Sequence, residues 1–185
     1  MRSPENTNYL NPQGFIVLIK RLPHVSFFCN TVNIPGISLS NPNQSNPFTR
    51  MPIPGDQAAF DDLTIQFHID EGMKNWIEVA KWMISTSFPE DHEQFKFAVD
   101  DPEGSSVGSD KNIYSNITLI ILDSNKSAQM EFEFFDCIPK SLSGLDLTVN
   151  DSDINPVSAS VTFDFSYVRI NKPGTTLPID QMQNL

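Results

Sequence analysis

The chain has 185 residues, 39% of them hydrophobic, and a formal net charge of −11. This length fits one domain, and the acidic balance excludes a surface that grips nucleic acid through clustered lysine and arginine. The sequence contains no run approaching about 20 apolar residues, so no membrane helix is predicted. An acidic wall remains compatible with DNA that slides past a protein without binding to it.

The first 13 residues are polar and interrupted by proline, which predicts an N-terminal arm without a signal peptide. Residues 14–22 and 25–34 are predicted to be strands on either side of a turn at Pro23. Residues 35–57 are rich in Pro, Asn and Ser and contain two Pro-Gly turn signals. This composition predicts an extended loop or a protruding hairpin.

A strand followed directly by an amphipathic helix is predicted next. Residues 63–69 alternate apolar and polar side chains, as in a strand with one buried face. Asp70 then offers an oxygen that can cap a helix. The helix is predicted to turn one apolar stripe towards the sheet. The stripe consists of Met73, Trp76, Ile77, Ala80, Met83 and Ile84.

Two large residues of this helix, Val79 and Trp82, lie off the predicted stripe. A loop of the same chain could cover them. Alternatively they are candidate subunit-interface residues, because tryptophan is enriched among the residues that dominate binding at interfaces. The sequence leaves both interpretations open.

Further strands are predicted in the second half of the chain, over residues 116–123, 128–138, 145–149 and 158–170. The first of them is nearly all apolar, which predicts burial on both faces. In the second, Glu131 and Glu133 share the face opposite the apolar side chains. Residues 89–115 form a second long polar segment, and residues 171–185 form a polar tail.

The pattern of about seven strands and one helix predicts a β-rich α+β fold. It would be an antiparallel sandwich or barrel with the helix packed on it. The predicted division is a single domain over residues 14–170, an arm over 1–13 and a tail over 171–185. Insertion loops are expected at about residues 35–57 and 89–115.

The sequence shows no motif for catalysis, for a cofactor or for a metal. His24, His68 and His92 are far apart and have no cysteine or paired carboxylate at ligand spacing. We therefore predict no enzyme and no cofactor, with carboxylate acid–base chemistry as a distant alternative. Cys29 and Cys137 lie in apolar runs and are predicted to be reduced core thiols.

Three blocks, taken in order, resemble the tail tube proteins of contractile-tailed bacteriophages, a family that includes tube-initiating baseplate proteins. They are residues 15–36 with IPG, residues 51–70 with MPIPGD and FDDLTIQFHID, and the helix MKNWIEVAKWM. The later segments AQMEFEFFDCIPKSLSGLDLTV and SVTFDFSYV are similar to the last β-pair of the family. The resemblance covers most of residues 14–170.

The resemblance implies a structural virion protein that is not an enzyme. Six copies would form a ring, and stacked rings would form or initiate the inner tail tube, assembled in the host cytoplasm. Each subunit would lend strands to a barrel around a lumen that passes DNA. The implied partners are further copies of the chain and other tail tube, sheath or baseplate proteins, with no membrane.

Under this resemblance, acidic residues on polar strand faces are the candidate lumen lining, because a negative wall does not bind DNA. The candidates are Glu131, Glu133, Asp164 and Asp146. Plain solvated surface is the alternative for each of them.

Two other functions fit the same composition. The first is a baseplate or tail-end adaptor of the same fold that forms a single ring. The second is a β-sandwich that binds carbohydrate, for which the loop aromatics are Phe48, Phe95 and Tyr114.

Overall fold

The computed structural model describes residues 9–41, 43–45, 49–53, 55–87, 113–147 and 156–172. In chain order the elements are β1 (Phe15–Ile19), α1 (Pro23–Phe28), β2 (Cys29–Val32), β3 (Ile37–Leu39), β4 (Asn43–Ser45), β5 (Arg50–Pro52), β6 (Ala58–Phe60), β7 (Leu63–His68), α2 (Lys74–Ser87), β8 (Ser115–Leu122), β9 (Ala128–Leu142), β10 (Ser158–Asp164) and β11 (Tyr167–Asn171). The predicted β-rich, antiparallel fold with a packed helix is confirmed.

Two antiparallel sheets share the long strand β9. In sheet A, the first half of β9 pairs with β8 and β11, and β8 pairs with β1. In sheet B, the second half of β9 pairs with β10, β10 with β7, and β7 with β2. The change of sheet follows Asp136, whose φ of 57° is a left-handed conformation of the kind found at β-bulges.

The hydrophobic core lies between the two sheets. Its fully buried side chains include Leu63, Ile65, Phe67, Ile117, Leu119, Phe134, Val161 and Phe163. Along β8, Ile117 and Leu119 are buried whereas Thr118 and Ile120 are half-buried. The prediction that this strand is buried on both faces is therefore wrong, because only one face of sheet A packs against sheet B.

Several predicted elements differ from the structure. The strand predicted over residues 25–34 is helix α1 as far as Phe28 and becomes a strand only in β2. Pro23 begins the short helix α1 instead of a turn, which suits a proline because the first helical position needs no N–H donor. Residues 145–147, the described part of the predicted strand 145–149, are not in a strand. The strand predicted over 158–170 is divided into β10 and β11 at Phe165.

A two-stranded ribbon protrudes between β2 and β7. It consists of β3 paired with β6 and β4 paired with β5. Residues 35–57 were predicted to form an extended loop or a protruding hairpin, and the paired strands correspond to the hairpin. A Cβ atom at Gly55 would overlap the carbonyl oxygen of Ser40, so glycine permits this close approach of the two backbone segments. The insertion predicted at 89–115 and the tail 171–185 lie mostly outside the described residues.

Candidate assembly surfaces

Helix α2 packs on the core with the face that was predicted to point away from the sheet. Trp82 is 2% exposed, its Nε1 donates to the carbonyl of Ile113 at 2.9 Å, and its ring lies 6.0 Å from that of Phe163. Val79 is fully buried. The interface assignment of Trp82 and Val79 is therefore corrected: residues of their own chain cover both side chains.

A buried asparagine explains this orientation of the helix. The side-chain amide of Asn75 donates to the carbonyl of His68 at 2.7 Å, and its oxygen accepts the N–H of Trp76 at 2.8 Å. Asp70 Oδ1 accepts the backbone N–H of Asn75 at 3.3 Å, which is the capping role predicted for Asp70. A polar side chain with its hydrogen bonds satisfied is tolerated inside a protein, so Asn75 holds α2 against the end of β7.

The more apolar face of α2 consequently points to solvent. We call Met73, Ile77, Ala80 and Ile84 the outward stripe. Met73 lies just before α2, Ile77 is 38% and Ile84 45% exposed, and Ala80 is half-buried. The prediction that these residues pack on the sheet is wrong. Trp76 and Met83, from the same predicted stripe, are half-buried and pack against the core, as predicted. Large apolar side chains clustered on one exposed face indicate an interaction surface.

The ribbon carries a further exposed apolar surface of the subunit. Cross-strand partners share a face, so Ile37 lies beside Phe60 and Leu39 beside Ala58. The ring of Phe60 packs on that of Phe165 at the margin of the core, with centroids 5.6 Å apart. Ile37 and Leu39 lie farther out and are 62% and 56% exposed. The apolar side of the ribbon therefore starts at the core and continues into solvent.

The outer face of sheet A is partly apolar and carries a charged cluster. Ile16, Leu18 and Tyr167 are between 41% and 49% exposed. Glu133 accepts a hydrogen bond from the amide of Asn171 at 3.2 Å and lies 3.7 Å from Arg169. A surface of this kind is suited to contact with another protein.

The outer face of sheet B is lined by hydroxyl and amide groups. Thr64 lies opposite Thr162, and Gln66 lies opposite Ser160. At one end of the face, Lys140 forms an ion pair with Asp62 at 2.8 Å. The hydrogen bond and the charge of Asp62 raise the pKa of Lys140 above its ordinary value.

The candidate lumen acids do not come together. Glu131 and Glu133 pair with β8 and β11 in sheet A, whereas Asp164 ends β10 in sheet B. Asp146 is exposed in the segment after β9. Glu131 and Glu133 therefore lie in a different sheet from Asp164, and the lumen-facing role of each acid stays a prediction. Sequence alternation identified a polar face on each strand but not the sheet to which it belongs.

The described residues offer little for catalysis or metal binding. Both cysteines are free, as predicted, and burial raises the pKa of Cys29 to about 11 and that of Cys137 to about 12, so both stay protonated at neutral pH. No group of three or more His, Cys, Asp or Glu side chains in the described ranges could hold a metal ion. Neither described helix has the length and apolarity needed to cross a membrane.

Of the loop aromatics on which the carbohydrate alternative depends, Tyr114 is half-buried, while Phe48 and Phe95 lie outside the described residues.

Comparison with known proteins identifies the family. The sequence matches the phage tail tube protein family over residues 7–170. The chain belongs to that family. A curated relative of this tail tube family member is the tail tube terminator protein of Enterobacteria phage T4. The two are 26% identical over 174 residues, which cover 90% of this chain and 92% of the relative. The chain is thus a tail tube or tube-terminator structural protein of a phage tail.

Solved structures share the fold of this tail tube family member. The tube-terminating cap of the anti-feeding prophage superposes with a TM-score of 0.61 at 12% identity, covering 92% of this chain and 96% of that one. A chain of the sheath–tube complex of the PVC extracellular contractile injection system gives a TM-score of 0.56 at 14% identity, with coverage of 90% and 93%. At these identities the likeness concerns the fold alone.

Proposed function

We propose that six copies of this chain form a ring around a channel through which phage DNA passes. The ring belongs to the inner tube of the tail, is assembled in the host cytoplasm, and has no catalytic role. Membership of the phage tail tube protein family supports a structural role in the tube. The partners are other copies of the chain and neighbouring tail proteins.

The outer face of sheet B is the proposed wall of the channel, and its chemistry is the observation that carries this assignment. Thr64, Gln66, Ser160 and Thr162 present uncharged polar groups side by side. Binding to DNA is dominated by cationic contacts to phosphate, so a wall of hydroxyl and amide groups lets the duplex slide. Asp164 is the lumen candidate that lies on this wall, whereas Glu131 and Glu133 belong to the opposite side of the subunit.

The edges of sheet B offer a way to close the ring. The sheet ends at β2 on one side and at the second half of β9 on the other, and no described strand pairs with either outer edge. Unpaired strand edges present N–H and C=O groups that can extend a sheet into another chain. Repeating one such contact around an axis produces a closed ring.

Two positions in a tail fit such a ring: a repeating layer of the tube, or the layer that ends it. The T4 tube terminator, matched along nine-tenths of both chains, supports the second position. Electron microscopy of the purified protein separates the two, since a terminator stops at single rings while a repeating subunit grows into tubes. A protein that stays monomeric at high concentration would contradict both.

The channel wall is tested by adding positive charge to it. Replacing Gln66 and Thr162 by lysine should leave ring formation intact but slow DNA ejection from the particle, because the wall would now attract phosphate. A more strongly charge-altered control carries Glu131→Lys and Glu133→Lys on sheet A, and should eject DNA normally. Impaired ejection by the control alone, at equal tail yield, would assign the channel to sheet A instead.

A further inference from the structure

Two of the apolar surfaces that the described residues leave uncovered are complementary in size and charge. The first is the apolar side of the ribbon, where Ile37 and Leu39 are more than half exposed. An isolated two-stranded ribbon has marginal stability in water, and only its base is anchored, through Phe60 on Phe165. The ribbon therefore requires an apolar partner surface to be held in one position.

The second surface is the outward stripe of α2. A groove of about 310 Å³ lies beside it, lined by Met83, Ile84, Thr86, Ser87, Ile138 and Pro139. The helical part of the stripe, from Ile77 to Ile84, is about 10 Å long at the rise of an α-helix, and Met73 lies just before the first residue of α2. The three-residue strands β3 and β6 are also about 10 Å long, so this part of the ribbon matches the length of the stripe.

The charges beside the two surfaces have opposite signs. Lys74 and Lys81 lie within about 60° of Ile77 around the helix axis; both are exposed, and no described carboxylate forms an ion pair with either. Asp56 lies on the ribbon and Asp61 at its base, and both are exposed. In a chain with a net charge of −11, two lysines beside an apolar stripe favour an acidic partner.

We propose that the apolar side of the ribbon of one copy packs on the outward stripe of α2 in a second copy, with Asp56 and Asp61 facing Lys74 and Lys81. This inference rests on the proposed self-assembly and names the contact that joins the copies. Within a single copy the surfaces do not meet, because Ile37, Leu39, Ile77 and Ile84 all stay exposed. The contact is heterologous, so each copy offers a ribbon to one neighbour and a helix to another.

Site-specific photocrosslinking in the full-length protein tests this contact. A benzophenone amino acid at Leu39 should crosslink to residues 73–84 of a second copy, as identified by mass spectrometry. The same group at Ser38, on the other side of the ribbon, is the matched control and should give at least about tenfold less of this product. Crosslinks from Leu39 to any other surface, in particles that assemble normally, would overturn the contact but leave the proposed ring intact.

Charge exchange provides an independent test. Lys74→Glu with Lys81→Glu should raise the protein concentration needed for assembly about tenfold, since like charges would now meet across the contact. Adding Asp56→Lys and Asp61→Lys should restore assembly. Lys20→Glu with Lys126→Glu, the same charge change elsewhere on the surface, is the control and should assemble normally. Failure of the exchange to restore assembly overturns the contact, and failure of the unaltered protein to assemble overturns the proposed function as well.

Discussion

The two faces of α2 have the opposite burial to the one that their composition predicts. The inward face contains Asn75 and Ser85 beside Val79 and Trp82, whereas the outward face contains large aliphatic side chains. Hydrogen bonds and packing within the chain cover the inward face, whereas the described residues leave the outward face uncovered. In the proposed ring, the outward face is the hydrophobic surface left for a neighbouring copy, so that folding and assembly would depend on different residues.

The largest effect is expected on the inward face. Trp82→Ala should lower the free energy of unfolding by about 3–5 kcal/mol, because it leaves a cavity beside Phe163 and removes the hydrogen bond to Ile113. Urea denaturation at a protein concentration that keeps the chain monomeric measures this loss.

The outward stripe provides the matched comparison for Trp82. Ile77→Ala should change the same free energy by no more than about 0.5 kcal/mol, because the side chain is already partly in water. Equal destabilisation by the two substitutions would contradict the contrast between the two faces.

A pH-dependent change in stability, of intermediate size, is expected from the buried thiol of Cys137. Burial raises the pKa of Cys137 from 9.0 to about 12, so the folded state retains this proton after the unfolded chain has lost it. Its stabilising contribution is complete below pH 9 and is lost as the pH rises towards 12, by about 2–3 kcal/mol at pH 11. Cys137→Ala should remove this part of the pH dependence in denaturation curves, and identical slopes for both proteins would argue against a closed site.

Removing the buried side chain of Asn75 should destabilise the protein and loosen the packing of α2 in its present orientation. Asn75→Ala should cost about 1–3 kcal/mol, because the carbonyl of His68 and the N–H of Trp76 lose their partner. The fluorescence of Trp76 and Trp82 should shift, since rotation of the helix changes the exposure of both rings. Unchanged fluorescence with full stability would show that another contact fixes the helix.

A small effect is also expected at the surface of sheet B. Lys140→Ala removes the ion pair with Asp62, in which both side chains are more than a third exposed. Solvent screens such pairs, so the free energy of unfolding should fall by no more than about 1 kcal/mol. Measurements at low and high salt check this, because any loss due to the pair should shrink as salt is added. A larger, salt-independent loss would mean that the stem of Lys140 contributes to packing.

Much of the fold followed from local patterns. The alternation in residues 63–69 predicted β7 with its buried face, and the apolar run 116–123 predicted β8 within one residue at each end. The Pro-Gly signals in residues 35–57 predicted an extended loop or a protruding hairpin, and the paired strands of the ribbon are the second of these. Side-chain period and turn chemistry are properties of adjacent residues, so the sequence contains them without reference to the rest of the chain.

Other features depended on contacts between distant residues. Periodicity showed that α2 has two faces, but the bond from Asn75 to His68 and the cover over Trp82 from Ile113 decided which face is inside. In the same way the bend after Asp136 divided β9 between two sheets, and so separated Glu131 and Glu133 from Asp164. A pattern in the sequence determines that a face exists, whereas its partner is selected by packing and hydrogen-bond satisfaction that only the tertiary structure contains.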